Sequence, residues 1–360
     1  MRHEDLSRYD LSQEKHPFWC GGTVLQESVV FPEPKDGGRP SARLLYRPSG
    51  VISMRSSDLQ TEFAEGKDFV VEGDRVILTE NSRMNVLLRS VYEEPADQPT
   101  CGWATVHPGI LYRPTDFFVL REYTYYFSYE TKETWQGPLP ENVADDLPLF
   151  RKRLLSGAPM TWLWYGDSQV FGCDVSDLYH VAPNVPPYAK IVTDSFASAY
   201  PQAKISYVNT AVGGTDSVWG RENVAERVCA HRPDLLCIKF GSNEVQRPVE
   251  EYKQSIKKLL ETVLNEKPDT EIVLLSPFAH NEECLVYHNE TLVSFEKAHE
   301  EIRREMSSAH IAVSAIYAAT REMVKQKGFA SLTYNMINHA NDFGCRVNAQ
   351  LILRTLGFYS

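Results

Sequence analysis

Ser168 directly follows Gly166-Asp167 at the end of the apolar run Met160-Thr161-Trp162-Leu163-Trp164-Tyr165. A serine placed where a buried strand ends is held at the lip of a sheet, where a ligand can reach it. Its hydroxyl is a poor nucleophile until a base takes its proton and donors receive the negative charge that develops on the attacked group. Three further segments offer those parts in chain order. Gly213-Gly214 follows an apolar run, Gly241-Ser242-Asn243-Glu244 follows another, and His339 stands near the C-terminus. On this reading Ser168 is the nucleophile and His339 the general base, later the general acid. The oxyanion donors are the backbone N–H of Ser168, that of Gly214, where no side chain blocks the approach, and the side-chain amide of Asn243. Such a set can cleave an ester through an acyl-enzyme.

Singly, each signal has an ordinary explanation. Gly-Asp-Ser reads as a turn with Asp167 capping a helix, Gly213-Gly214 as a tight strand-to-helix connection, and Asn243 and His339 as polar residues at loop or helix starts. Their weight comes from arrangement, because Ser168, Gly214 and Asn243 each follow the carboxyl end of a strand. In an open parallel sheet those ends share one rim, where ligands bind.

The elements that must position these residues fall into two regions. Before about residue 145, short strand-like runs recur between turn signals: Arg43–Tyr46, Val51–Arg55, Asp68–Val71, Arg75–Leu78, Phe117–Leu120 and Glu122–Glu130. Tyr123, Tyr125, Tyr126, Phe127 and Tyr129 supply the aromatic content favoured on pleated surfaces. The expectation for 1–145 is an antiparallel β-sandwich of jelly-roll type. Gln136-Gly137-Pro138-Leu139-Pro140 to Asp145-Asp146 reads as a linker, and 146–360 as the second domain. There, strands Met160–Tyr165, Lys204–Asn209, Asp234–Phe240, Glu271–Ser276 and Ile311–Ile316 alternate with helices near 188–199, 217–231, 248–265, 292–307 and 342–356. This alternation implies an α/β fold, a three-layer doubly wound parallel sheet covered by helices on both faces.

Composition narrows the function classes. The 360 residues carry a net charge of −11, which disfavours nucleic acid and an anionic membrane surface as partners. Seven scattered cysteines without a CxxC pair argue against a disulfide framework or a cysteine-rich metal site. His280 and His288, with Glu282, Glu283 and Glu290 nearby, lack the helical spacing of a zinc site. Asn289-Glu290-Thr291 fits a glycosylation acceptor, a triplet common by chance. The opening Met1-Arg2-His3-Glu4-Asp5 shows no signal-peptide pattern, and no run is apolar enough to span a bilayer. A cytoplasmic protein is the expectation, although a secreted chain trimmed of its leader would read the same. The oligomeric state is open, a homodimer included.

As a set, the four segments resemble the sequence blocks of the SGNH, or GDSL-type, hydrolase superfamily. Tyr165-Gly166-Asp167-Ser168 is similar to the nucleophile block, and Asn209-Thr210-Ala211-Val212-Gly213-Gly214 to the block ending in the oxyanion glycine. Gly241-Ser242-Asn243-Glu244 resembles the Gly-x-Asn-Asp block, with Glu244 for the usual aspartate. Asn338-His339-Ala340-Asn341-Asp342-Phe343-Gly344 resembles the histidine block. The likeness covers about 158–358. More loosely, Glu65-Gly66-Lys67-Asp68-Phe69 and Asn81-Ser82-Arg83 resemble the β-sandwich module of a two-domain subgroup. The resemblance implies hydrolysis of acetyl or other short acyl esters, often of carbohydrates, with neither metal nor organic cofactor.

One departure stands out. The superfamily places an aspartate shortly before the histidine, and the matching position here is Asn335. An asparagine carbonyl can orient an imidazole but lacks the charge that stabilises imidazolium. Three outcomes stay open: a Ser-His dyad oriented by Asn335 or a backbone carbonyl, a carboxylate from elsewhere, or a weakly active, carbohydrate-binding protein. Asp342, three residues after His339, reads as a helix cap. An acyltransferase on the same scaffold is a further alternative. Trp135 and Trp219 read as core anchors ahead of a sugar-stacking role.

Overall fold

The computed structural model describes residues 5–287 and 289–359, without the side chain of residue 289. Met1 to Glu4, His288 and the Asn289 side chain, singled out above, lie outside the described residues. The N-terminal region consists of strands Gly22–Val30 (β1), Ser41–Arg43 (β2), Pro48–Ser56 (β3), Glu62–Phe63 (β4), Phe69–Glu72 (β5), Arg75–Leu78 (β6), Glu93–Pro95 (β7), Trp103–Ala104 (β8) and Ile110–Tyr112 (β9). Helix Phe117–Arg121 (α1) and strand Thr124–Thr131 (β10) complete it. Three antiparallel sheets result, ordered β1-β10-β3-β4, β2-β6-β5 and β7-β9-β8. Strand β10 lies between β1 and β3 with Tyr125, Tyr126, Phe127 and Tyr129 all buried. Phe127 meets Phe69 of β5 edge-on at 5.8 Å, so aromatic packing links the first two sheets.

Two sequence expectations need correction here, and one strand lies outside them. Phe117–Leu120 is a helix, because the Asp116 carboxylate accepts the Phe118 N–H at 2.8 Å and starts a turn. Phe117 and Leu120 are buried while Phe118 and Val119 are exposed, which is helical spacing and not alternation. The run Arg43–Tyr46 is paired only as far as Arg43. Strand β1 carries no period-2 signal, since a bulge between Val24 and Glu27, with Gln26 at φ 53°, breaks its register.

The second region runs Pro148–Ser156 (α2), Pro159–Gly166 (β11), Ser168–Phe171 (α3), Tyr188–Ala199 (α4), Lys204–Asn209 (β12), Ser217–Glu222 (α5), Val224–Arg227 (α6) and Leu235–Lys239 (β13). Val249–Glu266 (α7), Glu271–Leu275 (β14), Asn289–Glu305 (α8), Ile311–Ser314 (β15), Ile316–Lys327 (α9) and Asp342–Thr355 (α10) follow. Five strands form one parallel sheet in the order β12-β11-β13-β14-β15. Every residue of β13 and β14 is buried, as expected of strands covered on both faces. Helix α7 buries Tyr252, Ile256, Leu259, Leu260 and Val263, one apolar stripe. The expected helix 217–231 is interrupted, giving α5, α6 and a final 3-10 turn, and α9 was not anticipated because Ile316 prolongs the apolar run of β15. The chain reverses direction across the sheet between β11 and β13, which makes their carboxyl ends the switch point.

The two regions share buried polar contacts. Arg346 Nε of α10 reaches Glu14 Oε1 at 2.7 Å, and Gln350 bonds both Glu14 Oε2 (2.8 Å) and the Phe18 N–H (2.9 Å). Lys327 at the end of α9 pairs with Glu27 of β1, both side chains without solvent exposure. The Glu27 carboxylate also accepts the Leu45 N–H (2.9 Å) and the Tyr129 hydroxyl (2.7 Å). No helix among the described residues is long and apolar enough to cross a membrane.

Candidate active site

Gly166 ends β11 where the backbone passes close to β13; a Cβ there would lie 2.1 Å from the Lys239 carbonyl oxygen. Only glycine fits. Asp167 then caps α3 by accepting the Gln169 N–H at 3.0 Å. Its carboxylate is fully buried and takes Lys239 Nζ at 2.9 and 2.7 Å. Burial pulls the Lys239 ammonium below its usual range, against the opposing pull of Asp167. Lys239 also donates to Ser242 Oγ, which lies 3.2 Å from His280 Nε2. Burial holds the His280 imidazole well below its ordinary value, hence neutral. The nucleophile turn is thus tied by buried polar contacts to the segment carrying Asn243.

Ser168 opens α3, largely buried, with Oγ 2.9 Å from His339 Nε2. Helix α3 lasts one turn and ends at Gly172 in the left-handed region. The chain then folds back so that Asp174, itself at φ 64°, sets Oδ2 2.6 Å from His339 Nδ1. A carboxylate can only accept, so Nδ1 carries the proton and the Nε2 lone pair faces the Ser168 hydroxyl. The other oxygen, Asp174 Oδ1, accepts the Tyr179 hydroxyl at 3.1 Å. Asp174 was missed in the sequence, where nothing in its spacing from Ser168 distinguishes it from a loop acid.

Asn335 does not orient the imidazole, and that expectation is corrected. Its Oδ1 is turned under its own loop, accepting the N–H groups of Ile337 (2.9 Å), Asn338 (3.0 Å) and His339 (3.1 Å). It shapes the backbone that presents His339. Gln169 Nε2 donates to the Asn338 carbonyl at 2.8 Å, joining the nucleophile helix to this loop. The cap of α10 is Asn341, which accepts the Gly344 N–H at 3.0 Å. Asp342 instead lies in the first turn, buried, accepting the Ser176 N–H (2.8 Å) and the Tyr126 hydroxyl (3.2 Å), and burial raises it to about 6.

Gly213 lies beside the nucleophile, and Gly214 follows it in the chain. A Cβ on Gly213 would be 3.8 Å from Ser168 Cβ, and Gly214 adopts φ 77°, open to glycine without strain. Asn243, exposed, donates Nδ2 to the Thr215 carbonyl at 2.9 Å, which places its carboxamide on the same turn. Glu244 braces that turn from beneath, accepting the Ser217 N–H (2.9 Å) and hydroxyl (2.5 Å) at the start of α5. Burial lifts Glu244 to about 7. No group of three or more His, Cys, Asp or Glu among the described residues is arranged to hold a metal ion. Trp135 packs edge-on against Phe18 at 5.5 Å, and Trp219 is half-buried beside Tyr165.

The profile of the GDSL-like Lipase/Acylhydrolase family matches residues 164–346. An acetylxylan esterase from Geobacillus stearothermophilus is 25% identical over 186 residues, 48% of this chain and 81% of the relative. Among solved structures, a two-domain esterase active on acetylated mannans, co-crystallised with mannopentaose, is 21% identical with a TM-score of 0.48. That alignment covers 61% of this chain and 55% of the esterase, so the chain spans about half of that protein's length. A catalytic mutant of an acetylxylan esterase from Geobacillus stearothermophilus is 23% identical, covering 56% of this chain and 95% of that one, with a TM-score of 0.46. The family match extends over half of the chain, and the protein accordingly belongs to the GDSL-like lipase/acylhydrolase family.

Proposed function

We propose that the protein removes acetyl or other short acyl groups from a carbohydrate or related polar alcohol, with Ser168, His339 and Asp174 as a catalytic triad. The single observation that carries the mechanism is the contact series Asp174 Oδ2, His339 Nδ1, His339 Nε2, Ser168 Oγ at 2.6 and 2.9 Å. As Ser168 Oγ bonds to the acyl carbon, His339 takes its proton and Asp174 stabilises the resulting imidazolium. The oxyanion is received by the N–H groups of Ser168 and Gly214 and by the Asn243 amide. Collapse breaks the ester C–O bond, and His339 returns the proton to the departing alkoxide. Water, deprotonated by His339, then attacks the acyl-Ser168 carbon; the bond from that carbon to Ser168 Oγ breaks, His339 returns the proton to Oγ, and the free carboxylic acid leaves. No cofactor is needed.

The acetyl-sugar reading draws on the acetylxylan esterase relative. The carboxylate of Asp174 supports an active hydrolase over a silent binding protein, since it supplies the charge that Asn335 lacks. The division near residue 145 and a jelly-roll-type accessory domain belong to the same proposal. A fluorophosphonate should label Ser168, and Ser168→Ala should abolish hydrolysis of p-nitrophenyl acetate; retained turnover in that variant would refute the mechanism. A long-chain optimum across p-nitrophenyl esters would refute the short-acyl preference, and acyl transfer to added sugars in preference to water would identify a transferase.

A further inference from the structure

A carboxylate that serves a catalytic imidazole has two oxygens, and only one can face the ring. Unless the other is held, the group rotates about its terminal bond and the Nδ1 contact loses its geometry. In this protein the second oxygen of Asp174 accepts the hydroxyl of Tyr179, half-buried at the end of the turn Ser176–Tyr179. Asp174 stands in the left-handed backbone region, a conformation that surrounding structure must maintain.

That surrounding structure comes from the N-terminal region. Phe117 of α1 stacks on the Tyr179 ring, with centroids 4.2 Å apart and planes 16° from parallel. Phe118 meets the same ring edge-on at 5.2 Å. Arg121 Nη2, at the end of α1, donates to the Ala182 carbonyl at 2.6 Å, beyond the Tyr179 turn. The same ring also reaches the histidine loop: Phe117 packs edge-on to Tyr334 at 4.9 Å, and just before α1 the Thr115 N–H donates to the Asn335 carbonyl at 3.1 Å. Tyr126 of β10 lies 3.0 Å from the Tyr334 hydroxyl and bonds Asp342, which in turn holds Ser176. One short segment, 115–126, therefore grips the loop that carries the acid and the loop that carries the base.

We propose that Tyr179 is a positioning residue for the triad acid and that α1 fixes it by ring stacking, which makes the N-terminal region part of the active site's frame. The inference rests on the triad reading above. It acts through Asp174 and not through substrate, so its effect falls on turnover and leaves substrate binding alone.

The test is Tyr179→Phe, which keeps the ring stacked on Phe117 and removes only the hydroxyl. Losing one hydrogen bond to a charged group should lower kcat by about 10-fold with KM unchanged. The far-downfield proton NMR resonance of the His339 Nδ1–H should broaden or move. Phe117→Leu, which keeps apolar volume without a stacking plane, should lower kcat in the same sense and shift the same resonance. Ser168→Ala and Asp174→Asn run alongside. A Tyr179→Phe enzyme with unaltered kcat, a fall in kcat with an unaltered resonance, or an effect on KM alone overturns the proposal while the triad stands. Activity retained by Ser168→Ala or Asp174→Asn overturns the triad reading itself.

Discussion

Glu244 shows how burial beneath the site changes the electrostatics of a carboxyl. Its carboxyl is nearly solvent-free and titrates at about 7, above the ordinary 4.5, because burial penalises the charge more than Ser217 relieves it. The native state therefore holds this proton more tightly than the unfolded chain does. Between those two values stability falls as pH rises, and the loss, about 3 kcal/mol, is complete above the native value. In Glu244→Gln the amide still accepts the Ser217 N–H and can donate to its hydroxyl. Denaturant midpoints measured from pH ~5 to ~9 should then be flatter than those of the unaltered protein. Gly166→Ala offers a second check at this scale. Its Cβ cannot fit against the Lys239 carbonyl, and a displacement of the serine turn by even an ångström should cost about 100-fold in kcat. The meeting of Ser168 and His339 was legible from the sequence because each stands in a short local pattern at a strand or helix boundary. Asp174 was not, because its contact with His339 spans 165 residues and is made by a left-handed kink that no local pattern announces.

At the level of elements, the histidine loop between Thr333 and His339 is a compact turn wound about the Asn335 carboxamide. Removing that acceptor strands three backbone N–H groups. Asn335→Ala should lower stability by roughly 2 kcal/mol and reduce kcat as His339 drifts. Asn335→Asp retains the acceptor and should keep most of the activity; a large gain there would instead indicate direct action on the imidazole. The parallel strands β11, β13, β14 and β15 were readable as near-continuous apolar runs, and α7 by its stripe. Helix α1 was misread since Phe-Phe-Val-Leu has strand-like composition, and only the Asp116 cap distinguishes it. Strand β1 escaped notice because its bulge removes the alternation that marks a half-buried strand.

Across the whole molecule, the desolvated Lys327–Glu27 pair joins the first strand to the last third of the chain. Lys327→Met leaves Glu27 in the interior without its counter-charge, and should cost about 3–5 kcal/mol; the double variant with Glu27→Gln should recover a large part of it, as read from denaturant midpoints. The pair has a second consequence, for biosynthesis. The two partners are 300 residues apart, so β1 leaves the ribosome long before its counter-charge has been translated. Strand β1 must therefore wait with Glu27 uncompensated until residue 327 has been translated and α9 can dock against it.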